Sequence, residues 1–363
     1  MSKTFDSLKV KSDSGNYEVA FFKTLEELKK FSNLPENYLV ICDKNIFIKY
    51  ESSIVSAFSS PFYIIDSNEL AKTLDGVQLF SKWLIENGAH KKTTIVAIGG
   101  GVVQDIATFT SHIFYRGIDL IFIPTTLLSQ ADSCIGAKCG INILPFKNQL
   151  GVFHSPKLVM IVEEFLLTLT ETDIISGFGE ILKLSVTGPN HFFHTLLEYL
   201  EENKFSCKEI LPIIKSSLSA KLAIIEEDEF ELDLRRILNY GHSFGHSLES
   251  STKNQVPHGH AVLFGMDIIN YLGVKWGITS ESYYEKFTES LSKYFSNFRV
   301  PNNITAEILV SGLRNDKKAE KTFINFAVPI NIGEIIIQKI PLNSDLIKLV
   351  DEYMNEKSVF RAS

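Results

Sequence analysis

Four of the chain's nine histidines fall within nineteen residues, in Asn239-Tyr240-Gly241-His242-Ser243-Phe244-Gly245-His246-Ser247 and Pro257-His258-Gly259-His260. His242 and His246 stand four apart in an apolar-periodic run, so a helix would set both on one face. His258 and His260 follow a short polar stretch that can fold them back towards that face. Neutral imidazoles gathered this way suit a first-row divalent metal, most often zinc. A single histidine is more commonly a surface or hydrogen-bonded core residue. The metal reading rests on four of them together, flanked by Gly241, Gly245 and Gly259.

Three other groups carry chemistry. Gly99-Gly100-Gly101 stands where a strand should turn into a helix, a place where glycine lets the backbone approach a pyrophosphate and the helix N-terminus offers N–H groups to an anion. A tight strand–helix turn with no ligand fits the three glycines equally well. Asp43, at the end of the first apolar run, is either a ribose partner or a solvated turn residue. The loop expected over 125–148 gathers Thr125, Thr126, Asp132, Lys138, Lys147 and Asn148 among Gly136, Gly140 and Pro145, the composition of a phosphate or carboxylate site. Glu180 and Lys183 lie one turn apart among small and apolar neighbours. They are either a helix-surface ion pair or a buried acid able to supply an oxygen ligand. Lys221 and Arg235 precede Asn239 in an acid-rich stretch (Glu226, Glu227, Asp228, Glu229), and Asn315-Asp316-Lys317-Lys318 reads as a charged turn before a strand.

The positioning elements divide the chain in two. Apolar runs at 37–42, 61–65, 93–98, 120–123 and 158–162 read as strands, and 70–87 and 102–114 read as helices between them. That alternation predicts a mostly parallel sheet with helices on both faces. From Thr170, an N-cap followed by acids, long helical patterns take over, with weak strand signals only at 322–328 and 334–340. The expected organisation is an α/β domain over 1–170 and a mainly helical domain over 171–363. A length of 363 residues supports two cores. A formal charge of −7 argues against nucleic acid or an anionic membrane as the main partner. No run reaches the roughly 18 apolar residues of a membrane span. The first ten residues lack a signal-like apolar stretch, and Cys42, Cys134, Cys139 and Cys207 form no CxxC pair. The expectation is a reduced, cytoplasmic enzyme.

Taken together, these residues resemble the 3-dehydroquinate synthase family, the sugar phosphate cyclases. The anchors are Gly99-Gly100-Gly101-Val102-Val103-x-Asp105, Tyr115-Arg116-Gly117, Ile123-Pro124-Thr125-Thr126-Leu127-Leu128, Asp132 with Lys138, and Lys147-Asn148. They continue through Glu180-x-x-Lys183, Lys221, Arg235-x-x-x-Asn239-x-Gly241-His242-x-x-Gly245-His246, His258-Gly259 and Asp316-Lys317-Lys318. The resemblance implies a Rossmann-like NAD-binding α/β domain followed by a mainly α-helical metal-binding domain. It also implies Zn²⁺ or Co²⁺ on Glu180, His242 and His258, rather than on the i,i+4 pair. His246 then stands beside the substrate, and His260 stands where the family usually has Glu.

For NAD, the resemblance points to Asp43, Asn45, Glu69, Lys72, Gly99, Gly100, Gly101, Asp105, Thr125, Thr126, Lys138, Lys147 and the segment from Phe165 to Thr168. Lys138, Asn148, Asn239, His246 and Lys317 match phosphate and base-side residues. Arg116 matches an arginine reaching the phosphate from a neighbouring subunit, which implies a homodimer. Asp132, Glu180 and Lys183 match residues around the ring hydroxyls. Lys221 and Arg235 match the pair that holds a substrate carboxylate, and that pair favours dehydroquinate synthesis over cyclases of sedoheptulose 7-phosphate or glucose 6-phosphate. The chain departs from the family pattern at Gln104 and Phe146, each in place of Gly, as well as at His260.

Overall fold

Apolar runs buried on both faces dominate the first half of the chain, and in the computed structural model they form the centre of one sheet. Residues 6–31, 34–144, 146–253, 255–295, 298–313, 319–320 and 322–360 are described. The chain forms two compact units, residues 1–169 with 207–214, and residues 170–206 with 215–363.

The first unit holds β1 (Ser7–Val10), β2 (Tyr17–Phe22), β3 (Tyr38–Asp43), β4 (Phe62–Ile65), β5 (Thr94–Gly99), β6 (Asp119–Pro124), β7 (Lys138–Ile143), β8 (Phe146–Phe153) and β9 (Leu158–Val162). Its helices are α1 (Leu25–Lys29), α2 (Lys44–Ala57), α3 (Leu74–Glu86) and α4 (Gly101–Ile113). Seven strands make the sheet β1-β2-β9-β6-β5-β3-β4, in which only the β1–β2 pair is antiparallel. Successive residues of β3, β5 and β6 are buried, as strands covered on both faces must be. Val40, Cys42, Val96 and Ile98 pack with Ile46 and Ile54 of α2. The alternate residues Leu39, Ile41, Ile95 and Ala97 are equally buried, and α4 packs on these same strands. β4 lies on one side of β3 and β5 on the other, so the strand order reverses between β3 and β5. In open α/β sheets a ligand crevice forms at the strand ends beside such a reversal.

Two expectations need correction here. β1 and β2 precede the run read as the first strand. The stretch 125–148 is not a loop: it holds a π-helical turn, Ser129–Ser133, and then the β7–β8 hairpin, with Lys138 opposite Phe153. The hairpin escapes a pattern search because β8 is largely exposed and shows no alternate burial.

The second unit contains α5 (Glu171–Thr187), α6 (Asn190–Asn203), most of α7 (Leu211–Ile225), α8 (His242–Ser251), α9 (His258–Lys275), α10 (Glu281–Phe295), α11 (Ala306–Leu313) and α12 (Ser344–Glu352). Beside the helices, β10 (Ala319–Glu320), β11 (Phe323–Asn331) and β12 (Glu334–Pro341) form an antiparallel sheet. Thr170 caps α5 in a reciprocal capping box with Asp173. Among the described residues, no helix is long and apolar enough to cross a membrane.

Candidate active site

Three helices of the second unit meet backbone to backbone, and glycine is what permits it. A Cβ on Gly259 would sit 1.8 Å from the Ser176 carbonyl oxygen, one on Gly179 would sit 2.4 Å from that of Gly259, and one on Gly245 would sit 3.0 Å from that of Ala261. α5, α8 and α9 therefore approach closely enough for short side chains to converge. Gly241, at φ +76°, turns the chain into α8 so that His242 is its first residue, and Pro257 does the same for His258 in α9. Glu180, 1% exposed on α5, places Oε1 3.1 Å from His258 Nε2 and 3.6 Å from His242 Nε2. The donor atoms of these three residues lie within 4.8 Å of one another.

The donor chemistry fits a divalent metal. His242 Nδ1 lies 3.1 Å from the Tyr240 carbonyl, which can only accept, so the hydrogen sits on Nδ1 and the lone pair on Nε2. One carboxylate and two imidazoles leave coordination positions open, the pattern of catalytic rather than structural zinc. Lys183, one turn from Glu180 and buried with it, pairs with the same carboxylate. Burial, then the charges of Lys183, His258 and His246, hold His242 well below the usual imidazole range. Burial opposes charge on His258 too, but Glu249 and Glu180 push it up to about 10. The same negative field attracts a divalent cation.

The four histidines do not act as one cluster. The His246 ring is exposed, 5.4 Å from that of His242 and 5.9 Å from that of His258. His260 belongs to neither group of converging metal donors among the described residues. Its buried ring packs edge-on to Phe298 at 5.4 Å, and burial drives its pKa down to about 4. Positions i and i+2 of a helix point to different sides, so His258 cannot bring His260 with it.

Lys221 and Arg235, expected to hold an anion, are both buried in the second unit. Arg235 donates through its guanidinium to the Glu229 carbonyl, and Asn239 donates through Nδ2 to Glu231 at 2.7 Å. Asp228, named in the sequence only as one acid of an acid-rich stretch, has a specific part. Its carboxylate accepts from the backbone N–H of Leu232 at 2.9 Å, Asp233 at 2.8 Å and Arg235 at 3.0 Å, which sets the turn that delivers Arg235. Against a small burial cost, these donors hold Asp228 below the usual carboxylate range. Lys317 lies outside the described residues.

In the first unit, the ends of β3, β5 and β6 come together: Cys42 pairs with Ile98, Gly99 pairs with Pro124, and the Thr125 N–H donates to the Gly99 carbonyl at 3.2 Å. That places Asp43, Gly99, Gly100, Gly101, Thr125 and Thr126 along one edge. Asp43 caps α2 through Ile46 N at 2.9 Å and accepts from Ser67, while Asn45 is exposed. No side chain caps α4 at Gly100, and a Cβ there would lie 3.0 Å from Thr126 Cγ2. A close-approach turn ahead of an uncapped helix N-terminus fits a dinucleotide pyrophosphate.

Beyond the turn, Lys72 Nζ lies 2.5 Å from Asp105, whose other oxygen accepts from Gly140 N at 3.1 Å. Glu69 accepts from Asn142 Nδ2 at 2.8 Å, and Asn142 Oδ1 accepts from Asn148 N at 2.9 Å. This chain of contacts ties the hairpin to the turn. Asn142, which sequence reading overlooked, is its central link. Lys138 and Asn148 are exposed, Lys147 is half-buried and Asp132 is buried. Phe165 is a core residue against the Tyr50 ring at 5.2 Å, whereas the Thr168 hydroxyl is 3.4 Å from that of Tyr50. Arg116 is exposed at φ 62°, beyond the far end of α4 from Gly100. A 13-residue helix spans about 20 Å, so Arg116 does not join the other residues of its own unit.

Comparison with known proteins agrees with both halves. Residues 62–176 match the family model described as 3-dehydroquinate synthase N-terminal, and residues 177–319 match the one described as 3-dehydroquinate synthase C-terminal. A 3-dehydroquinate synthase of Alkaliphilus metalliredigens (strain QYMF) is 32% identical over 340 residues, 91% of this chain and 94% of that protein. Among solved structures, 2-deoxy-scyllo-inosose synthase complexed with carbaglucose-6-phosphate, NAD⁺ and Co²⁺ superposes with a TM-score of 0.85 at 23% identity, covering 96% of this chain and 99% of that one. ValA, the 2-epi-5-epi-valiolone synthase of Streptomyces hygroscopicus subsp. jinggangensis 5008 with NAD⁺ and Zn²⁺ bound, does so with a TM-score of 0.83 at 23% identity, covering 96% and 98%. Those two share the fold. The family follows from the matches that run through the turn at Gly99 and the ligand helices alike, and the chain belongs to the 3-dehydroquinate synthase family.

Proposed function

We propose that this chain is a carbon–oxygen lyase that converts 3-deoxy-D-arabino-heptulosonate 7-phosphate to 3-dehydroquinate and phosphate, using NAD and Zn²⁺ or Co²⁺. The observation that carries the reading is the convergence of Glu180, His242 and His258 in a unit that also buries Lys221 and Arg235. Residues 1–170 serve as the NAD-binding domain and 171–363 as the metal and substrate domain. A metal held by Glu180, His242 and His258 would supply Lewis-acid polarisation of a substrate hydroxyl, and NAD held by the first domain would supply reversible hydride chemistry with no net redox change.

The chain's own residues do the rest. Glu180, His242 and His258 hold the metal. Asp43, Asn45, Glu69, Lys72, the Gly99–Gly101 turn, Asp105, Thr125, Thr126, Lys147 and the backbone from Phe165 to Thr168 hold the nucleotide. Lys221 and Arg235 take the substrate carboxylate, a planar group that a guanidinium matches in a bidentate way. Asp132 and Lys183 orient ring hydroxyls. Lys138, Asn148, Asn239 and Lys317 face the phosphate and the departing proton, and His246, exposed on the ligand face of α8, moves that proton. Arg116 reaches the phosphate of a second copy in a homodimer, which is consistent with its place at the far end of α4. The four buried thiols, none of them in a disulfide, suit a reducing cytoplasm.

The test offers the purified protein the heptulosonate phosphate, sedoheptulose 7-phosphate and glucose 6-phosphate and follows phosphate release. Only the first should react. Turnover confined to a carboxylate-free sugar would make this a sister cyclase, and stoichiometric NADH would make it a polyol dehydrogenase.

A further inference from the structure

Glu249 has no assigned part in the chemistry above, yet it sits against the metal donors. It follows His242 by seven residues and His246 by three on α8, so all three share one helix face. Its side chain is only 9% exposed, and Oε2 lies 3.1 Å from His258 Nδ1. An ionised carboxylate can only accept a hydrogen bond, so Nδ1 carries a hydrogen towards Glu249. Nε2 faces Glu180 Oε1 at 3.1 Å, so it is the nitrogen whose proton a metal would displace while Glu249 keeps the one on Nδ1.

The two histidines are thus oriented in the same way by different acceptors. His242 is held by the Tyr240 carbonyl, a neutral group fixed by the backbone. His258 is held by a charge. Its side chain is 33% exposed at the first position of α9, so packing alone does not lock its ring. An ionised acceptor makes the stronger hydrogen bond and raises the basicity of the opposite nitrogen.

We propose that Glu249 is a positioning residue. It fixes the tautomer and ring direction of His258 and adds a second negative charge beside the cation. The proposal rests on the reading of Glu180, His242 and His258 as metal ligands. A different geometry competes with it, because His246, Glu249 and His258 also present donor atoms within 4.8 Å of one another and could take a second ion.

The experiment titrates metal-free full-length protein with Zn²⁺ against a chromophoric chelator and with Co²⁺ by visible absorption. It compares wild type, Glu249→Gln and Glu249→Ala, with melting temperature and circular dichroism as checks on folding. Wild type should take one ion. Glu249→Ala should bind it roughly 10–100-fold more weakly and with an altered Co²⁺ spectrum. Glu249→Gln keeps the shape and an acceptor oxygen, and should fall between the two. Unchanged affinity and spectrum in both variants overturn the proposal. Two ions in wild type, falling to one in Glu249→Ala, also overturn it by making Glu249 a ligand. If wild type binds no ion at all, the metal reading itself fails and this inference falls with it.

Discussion

The Tyr353 hydroxyl donates a 2.5 Å hydrogen bond to Asp267 Oδ2 in the helical unit, and both side chains are completely buried. Val359 N approaches the same oxygen at 3.4 Å, while Oδ1 has no hydrogen-bond partner among the described residues. Burial outweighs these donors and pushes Asp267 from 3.8 up to about 7. The folded protein therefore holds this proton more tightly than the unfolded chain does. The stabilisation is fully present below the unfolded value and is lost as pH rises through about 7. Asp267→Asn cannot ionise, so its melting temperature should gain on wild type as pH rises from about 5 to about 8. Parallel melting curves across that range would contradict the assignment. Tyr353→Phe removes the main donor and should cost about 1–3 kcal/mol at neutral pH in urea unfolding.

Gly259→Ala tests whether close helix contact builds the metal site. A Cβ 1.8 Å from the Ser176 carbonyl oxygen cannot be absorbed by a side-chain rotation, since the obstacle is backbone. α9 must move away from α5, and overpacking of this kind costs about 1–3 kcal/mol or more. His258 precedes this residue, so zinc affinity should fall together with stability. A variant that keeps wild-type metal affinity would show that the glycine contact does not set the ligand geometry.

Asp228 and Arg235 separate anion binding from the rest of the chemistry. Asp228→Ala removes the acceptor of three backbone N–H groups, one of them on Arg235 itself. The expected result is a KM for the heptulosonate phosphate raised by about tenfold, equivalent to about 1.4 kcal/mol. Arg235→Lys keeps the charge but loses the planar fork, and should lower kcat/KM by roughly 100-fold. Steady-state phosphate release measures both. An Arg235→Lys variant that keeps wild-type kcat/KM would remove the carboxylate role.

The central strands were readable because β3, β5, β6 and β9 are covered on both faces and so appear as apolar runs. β1 is only four residues long and β8 is exposed, so neither gives the period that marks a buried strand, while β2 is as long and nearly as buried as the central strands and is missed all the same. Spacing put His242 and His246 on one face, but it could not choose between them as ligands. That choice depends on where Gly179 and Gly259 let α5 and α9 approach, which is a tertiary fact. Residue type offered Glu180 as a possible oxygen ligand and His258 as one of four histidines, and only the family resemblance selected these two with His242. Asp228, Asn142 and Glu249 look like ordinary polar residues until their acceptors and donors are seen.

Gly100 joins the strand-end turn to the nucleotide. A Cβ there would lie 3.0 Å from Thr126 Cγ2 and 3.4 Å from its Oγ1, so Gly100→Ala presses on a residue assigned to the nucleotide. NADH affinity, followed by fluorescence titration, should weaken by about tenfold, which corresponds to about 1.4 kcal/mol. Zinc affinity should not change, because the proposed ligands Glu180, His242 and His258 lie in the other unit. The clash is mainly with one methyl group. Thr126→Ser in the Gly100→Ala background deletes that methyl and keeps the hydroxyl, so the double variant should recover most of the lost affinity. The coupling between the two changes isolates the contact from any general damage to the turn. A double variant that binds no better than Gly100→Ala alone would place the defect in the backbone of the turn and not in its packing against Thr126.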